Sequence, residues 1–200
     1  TPDVVEHSLN NSQPTIDSPG PTCEENLSKT IMKAKAVPKE EVPITLSSVE
    51  SVNSIYLQLT SELEEIDDYL EKLNLFYDSV KENEFQLQQF QEGGVCVAKF
   101  ADDDRWYRAI IENISSDNVT VRYIDFGNTG TVSRTDIRRL SAEFSEKEIC
   151  CLHCRLKSND VGTKMHDQKF LDGLMEIENL VGSFGSGEPI DIVLTVNGIN

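Results

Sequence analysis

After Gly93-Gly94 the chain breaks into short β-favouring runs, Val95 to Phe100, Trp106 to Ile111, Val119 to Ile124 and Thr129 to Val132, each followed by polar, turn-forming residues. Strands this short and this closely spaced satisfy their backbones and bury their side chains only by closing on one another. A small antiparallel barrel is therefore the unit around which the rest of the chain must be arranged.

The pattern before it is helical. Ser61 and Glu64 stand at capping-box spacing, and Leu63, Ile66, Leu70, Leu73, Tyr77 and Val80 recur at intervals of three and four, which predicts a helix from about Glu62 to Lys81. Nine acids between Ser61 and Glu84, against Lys72 and Lys81, lie mostly off that stripe and read as a solvated face. The stripe is too short for a coiled coil, so it should pack on a neighbouring domain of the same chain. Upstream, Ile44, Leu46, Val49, Val52, Ile55, Tyr56, Leu57 and Leu59 predict two strands joined by a short turn, with order beginning near Val42. Downstream, Ile149 to Leu156 and Ile190 to Val196 predict strands, a helix falls within Asp167 to Leu180, and Gly182, Gly185 and Gly187 predict a turn. These flanking pieces have no core of their own, which favours pairing between the two sets. Residues 1–41, rich in Asn, Ser, Thr and Pro, read as a disordered linker.

Hairpin register brings four aromatic side chains together. A first turn at Asp103-Asp104 pairs Phe100 with Tyr107; a second around Ser115 pairs Tyr107 with Tyr123, Ala109 with Val121 and Ile111 with Val119. Phe100, Tyr107, Tyr123 and Phe126 then lie at one end of the sheet. Such a cluster closes a barrel core. It also makes a slot for a cation, rimmed by Asp102, Asp103, Asp104 and Asp125. A guanidinium can slide between parallel rings, N-methylation lowers its hydration without removing charge, and Asn128 can accept a bond from a remaining N–H. The residues alone leave both readings open.

Bulk properties narrow the classes. With 18 basic and 35 acidic residues the formal charge is -17, which repels a phosphate backbone and draws in cations. Cys23, Cys96, Cys150, Cys151 and Cys154 are odd in number and unevenly spaced, unlike the framework of a secreted domain. No apolar stretch is long enough to cross a bilayer. A chain that begins at Thr1 reads as a piece of a larger intracellular protein.

Lys99-Phe100, Trp106-Tyr107-Arg108-Ala109 and Tyr123-Ile124-Asp125-Phe126-Gly127-Asn128, followed by Leu140 and Phe144, resemble the extended Tudor domain of germline multi-Tudor proteins. The resemblance covers about Val42 to the C-terminus. It implies a mainly β fold with helices: an SH3-like Tudor barrel over residues 92–145, inserted into a split OB domain of staphylococcal-nuclease type formed by 42–91 and 146–200, the two linked by the long helix. It further implies a non-enzymatic reader with no cofactor or metal. The cage of Phe100, Tyr107, Tyr123, Phe126 and Asn128 would bind symmetrically dimethylated arginine in Arg/Gly- or Arg/Ala-rich tails of Piwi-family proteins, with Asp125, Asp103 and Asp104 as secondary peptide contacts. The setting implied is a monomeric module of a multi-Tudor scaffold in cytoplasmic, perinuclear or polar germ granules. Phe126 departs from the Tyr common in the family, keeping the ring and losing a hydroxyl. Truncating Tyr123 to Ala is expected to remove binding and spare the fold.

Three other chemistries were weighed. Cys150-Cys151-Leu152-His153-Cys154 has zinc-ligand residue types, but on a strand they point to opposite faces. Nuclease chemistry needs converging carboxylates with cationic clamps, and Arg134, Arg138 and Arg139 come with no acidic triplet. Single-stranded RNA binding by the OB-like part runs against the net charge. A methyllysine reader remains as the alternative within the same barrel.

Overall fold

The computed structural model describes residues 32–81, 83–157 and 168–196. Two strands, β1 (Val42–Ser51) and β2 (Ser54–Leu59), lead into helix α1 (Leu63–Ser79). Five strands follow: β3 (Val95–Lys99), β4 (Trp106–Ile114), β5 (Asn118–Tyr123), β6 (Thr129–Ser133) and β7 (Ile137–Arg139). After the short helix α2 (Ala142–Ser145) come β8 (Leu152–Leu156), helix α3 (Gln168–Met175), β9 (Leu180–Phe184) and β10 (Ile190–Val196).

Two β units result. β3 to β7 form a five-stranded central sheet in the order β6-β5-β4-β3-β7, wrapped around Cys96, Ala109, Ile111, Val121, Tyr123 and Ile137. The strands at the two ends of the chain close into a separate barrel, β1-β2-β8-β10-β9. β2 meets β8 antiparallel at Ile55–Cys154, β1 meets β9 at Ile44–Leu180, and the parallel pair β8–β10 completes the ring. Neither terminal set could bury Ile55, Leu57, Leu152 and Ile192 alone, and together they enclose them.

Helix α1 covers the outer face of the central sheet. Ile66, Leu70, Leu73 and Tyr77 of the predicted stripe are buried, and so is Asn74. The Asn74 amide donates to the Trp106 carbonyl at 3.0 Å and accepts from the Trp106 N–H at 2.7 Å, so it completes the start of β4. The expected capping box is not formed. Residues 60–62 make a 3-10 turn, Glu62 takes the N-cap position, and no side chain bonds the free N–H groups.

Both hairpin registers are shifted by two residues from those predicted. β3 and β4 pair as Lys99–Trp106 and Ala98–Tyr107, because a four-residue loop, 101–104, with Asp104 at φ 57°, replaces the two-residue turn. β4 and β5 pair as Ala109–Tyr123 and Ile111–Val121; the turn sits at Ser116-Asp117, closed by the Ser115 hydroxyl on Asn118, and a bulge falls between Ile111 and Asn113. A shift of two preserves which residues face inward, so the core face was correctly identified from wrong partners. β7 was not foreseen, being three residues long with two arginines. The predicted glycine turn is also revised. Gly182 lies inside β9, where a Cβ would stand 3.0 Å from Ile192, so its small size serves a close approach across the barrel.

Of the segment expected to be disordered, residues 1–31 lie outside the described residues. The remainder, 32–41, has little regular structure but is anchored: the Ile149 N–H donates to the Lys33 carbonyl at 2.8 Å, and the Lys35 ammonium is buried against Glu62.

Candidate functional site

Four structural decisions place the site. Phe100 is the residue at which β3 leaves the sheet, and its N–H and carbonyl bond Arg105 and Asp104 to close the loop. Tyr107 stands one residue inside β4, and Tyr123 ends β5. The chain then turns tightly, with the Gly127 N–H on the Tyr123 carbonyl at 2.7 Å and the Tyr123 N–H on the Asn128 carbonyl at 2.9 Å. Gly127, at φ 90°, has no room for a side chain: a Cβ there would sit 1.9 Å from the Tyr56 ring.

A cavity of about 310 Å³ opens at this end of the sheet, lined by Ser47, Phe100, Asp103, Tyr107, Tyr123, Phe126 and Asn128. All four predicted rings and the predicted asparagine thus meet in one space. Ser47, from the terminal barrel, was missed because nothing in its sequence setting distinguishes it from neighbouring serines. The rings in contact are edge-to-face rather than parallel: Phe100–Tyr107 at 88°, Phe100–Tyr123 at 80°, Tyr107–Tyr123 at 77° and Tyr107–Phe126 at 90°. The walls form a box whose π-faces look inward along several directions, suited to a compact cation.

The rings are not equally dispensable. Tyr123 is 1% exposed, belongs to the core of the central sheet, and donates its hydroxyl to the Lys99 carbonyl at 2.7 Å. The expectation that Tyr123→Ala would spare the fold is therefore not supported by the packing: truncating such a residue opens a core cavity and costs roughly 3 to 5 kcal/mol. Phe126 and Tyr107 are partly buried at the edge of that core and are the cleaner probes. The Tyr107 hydroxyl donates to Asp103 at 2.6 Å, and its pKa is pushed up to about 12 by burial and then by that bond, so it stays a neutral donor.

The acids divide. Asp103 lines the cavity; Asp104 is engaged by Lys99 at 2.9 Å; Asp102 is exposed on the loop. Asp125, expected at the rim and as a peptide contact, is 1% exposed and does not reach the opening. Its carboxylate holds Arg108 in a fork, Nη2 at 2.6 Å and Nε at 2.9 Å, and accepts the Cys150 N–H at 3.0 Å. Arg108 is itself fully buried and spends its remaining donors on the carbonyls of Phe144, Lys147 and Glu148. This pair fastens the cavity's turn to the chain that follows the central sheet. The sequence signal for it was a single Arg in the apolar run Trp106–Ile111 and a single Asp in Tyr123–Phe126, opposite charges in strands with no water on either side.

The terminal barrel grips the same turn from beneath. Ser47 donates to the Phe126 carbonyl at 2.7 Å, Gln58 donates to the Asp125 carbonyl at 2.8 Å, and Arg122, held by Glu50 and Glu112, donates to the Gly127 carbonyl. The cysteines take no part. Cys96, Cys150, Cys151 and Cys154 are buried, burial raises all four thiols, and among the described residues no three His, Cys, Asp or Glu side chains are grouped to hold a metal.

Comparison with known proteins adds a family. Residues 36–158 match the family described as Tudor domain. The chain is 26% identical over 203 residues, 98% of its length, to Tudor domain-containing 6 of Danio rerio, of which it spans 9%. It thus covers less than a tenth of the length of the curated relatives it matches first. Among solved structures, the human TDRD1 extended Tudor domain in complex with a symmetrically dimethylated peptide superposes with a TM-score of 0.76 at 16% identity, covering 87% of this chain and 89% of that one. The Drosophila melanogaster Papi extended Tudor domain, in complex with a dimethylated Piwi N-terminal peptide, gives 0.69 at 18% identity over 80% and 91%. At these identities the likeness establishes the fold.

Proposed function

The chain belongs to the Tudor domain family, and from that premise we propose that it is a non-enzymatic reader of symmetrically dimethylated arginine. The observation that carries the reading is the single cavity walled by Phe100, Tyr107, Tyr123 and Phe126 with Asn128 at its edge. A methylated guanidinium keeps its charge, sheds part of its hydration and gains apolar contact, so each ring face contributes on the order of 0.5 to 2 kcal/mol. Asn128 favours a guanidinium over a trimethylated ammonium, because only the guanidinium keeps an N–H to donate. The excess of acids, 35 against 18 basic residues, steers a basic peptide toward the module.

The partner class follows from the company the fold keeps. The solved neighbours were captured with dimethylated peptides, one of them from Piwi, which supports an Arg/Gly- or Arg/Ala-rich tail of a Piwi-family protein as ligand and a scaffolding role in germ granules for the longer protein. The division into a Tudor barrel over 92–145 and an OB-like domain built from 42–91 and 146–200 is part of the same proposal.

Calorimetric titration with one Arg/Gly-rich peptide, unmodified and symmetrically dimethylated, tests it. Tighter binding of the methylated form, lost in Phe126→Ala, is the expected result. Equal binding of both forms would reduce the four rings to core closure, and preference for a trimethyllysine peptide would transfer the site to the methyllysine reading.

A further inference from the structure

Asn128 and Asp103 reach the cavity from different loops: Asn128 from the turn after β5, Asp103 from the loop between β3 and β4. The loop fixes Asp103 in place. Its Oδ1 accepts the Arg105 N–H at 3.0 Å and its Oδ2 accepts the Tyr107 hydroxyl at 2.6 Å, so the carboxylate is held at the cavity wall although residue 103 is exposed. It forms no ion pair among the described residues, whereas its neighbour Asp104 is taken by Lys99. Each carboxylate oxygen has lone-pair capacity beyond the one bond it accepts.

We propose that Asp103 is a specificity-determining residue of this site, acting with Asn128 as a pair of acceptors that select symmetric over asymmetric dimethylarginine. The inference rests on the methylarginine reading above. A symmetrically dimethylated guanidinium carries one methyl and one hydrogen on each terminal nitrogen, so two acceptors facing two different nitrogens are both satisfied. The asymmetric isomer has both methyls on one nitrogen, which then has no hydrogen to give. Whichever way that isomer enters, one acceptor faces methyl groups and is stripped of water without compensation. Losing a charge-assisted bond in this way weakens binding by about tenfold or more. The rings alone cannot make the distinction, since both isomers present the same charge and the same number of methyls to a π-face.

The test is titration of the whole chain with one peptide in unmodified, symmetric and asymmetric forms. The wild type should favour the symmetric form by about tenfold or more over the asymmetric one. Asp103→Ala should bring that ratio near one, chiefly by weakening the symmetric complex. Asp103→Asn, which keeps an acceptor and drops the charge, should weaken all forms and retain most of the ratio. Tyr107→Phe keeps the ring, removes the hydroxyl that holds Asp103, and should leave the preference in the same direction; loss of the preference in Tyr107→Phe equal to that in Asp103→Ala would make Asp103 a mere support for Tyr107 and overturn the proposal. An unchanged ratio in Asp103→Ala would also overturn it, while leaving the reader function standing. Failure of the wild type to prefer any methylated form would remove both. Matching circular dichroism spectra across variants separate these outcomes from misfolding.

Discussion

The two β units meet at the cavity with different tasks. The central sheet supplies the ring-bearing side chains, Phe100 and Tyr107 around one loop, Tyr123 and Phe126 around another. The terminal barrel supplies one lining side chain, Ser47, and a set of bonds to backbone carbonyls: Ser47 on Phe126, Gln58 on Asp125, and Tyr56 as the seat of Gly127. A turn of four residues carrying two wall groups has too little of its own hydrogen bonding to hold a geometry accurate enough for a planar cation. The comparison teaches that the central sheet contributes the recognition chemistry while the terminal barrel contributes its precision, and each substitution below moves one contribution without the other.

The largest effect should come where the two units share a buried charge pair. Asp125→Ala leaves the Arg108 guanidinium buried and unpaired, at a cost of roughly 3 to 5 kcal/mol in urea unfolding. The double substitution Arg108→Met with Asp125→Leu should recover much of that loss. If Asp125→Ala costs under about 1 kcal/mol, far below what an orphaned buried charge demands, the pair is not the clamp described here.

Next is Gly127→Ala. The added methyl meets the Tyr56 ring at 1.9 Å and the backbone at φ 90° disfavours any Cβ, together costing about 2 to 4 kcal/mol. Because Phe126 and Asn128 flank that position, binding should fall further than stability. Tyr56→Ala in the same chain relieves the collision, so a partial rescue measured by thermal unfolding would show that the clash, and not the dihedral alone, is responsible.

How much of this was legible in the sequence follows from which contacts are local. The rings, Asn128 and the inward face of β4 and β5 were readable because strand parity survives an error of two in register, as Tyr107 and Ala109 demonstrate. The strand partners themselves were not, since loop length at 101–104 and the bulge after Ile111 depend on a left-handed Asp104 that no residue type announces. Asp125 was misplaced for a physical reason: as the only charge in Tyr123-Ile124-Asp125-Phe126 it reads as exposed, and its burial is legible only jointly with Arg108. The missing capping box at Ser61 shows the reverse error, a local rule that tertiary packing overrode.

A smaller effect should isolate the grip of the terminal barrel. Gln58→Leu keeps the side-chain volume and removes the donor to the buried Asp125 carbonyl, costing about 1 to 2 kcal/mol. Affinity for the methylated peptide should drop severalfold although Gln58 does not line the cavity. If affinity is unchanged while stability falls, the barrel supports the fold and not the geometry of the turn.

The smallest effect concerns acid. His153 stacks on Tyr56 at 4.4 Å, bonds Ser54 at 3.1 Å, and has its pKa lowered by burial and then by Arg122, with Glu50 acting the other way. The unfolded chain holds a His near its ordinary value of about 6.5, so below that pH the unfolded state binds a proton that the folded state refuses. Stability is therefore fully present above about 6.5 and declines as pH falls through the depressed folded value, by a few tenths of a kcal/mol once solvent screening of this exposed ring is allowed for. His153→Phe keeps the stack and cannot titrate, so the difference between wild type and variant isolates this group from the carboxylates that also titrate in acid. A difference that grows in favour of wild type on acidification would mean that Glu50 outweighs Arg122 at the ring, and that the seat of Gly127 tightens, instead of loosening, when His153 is charged.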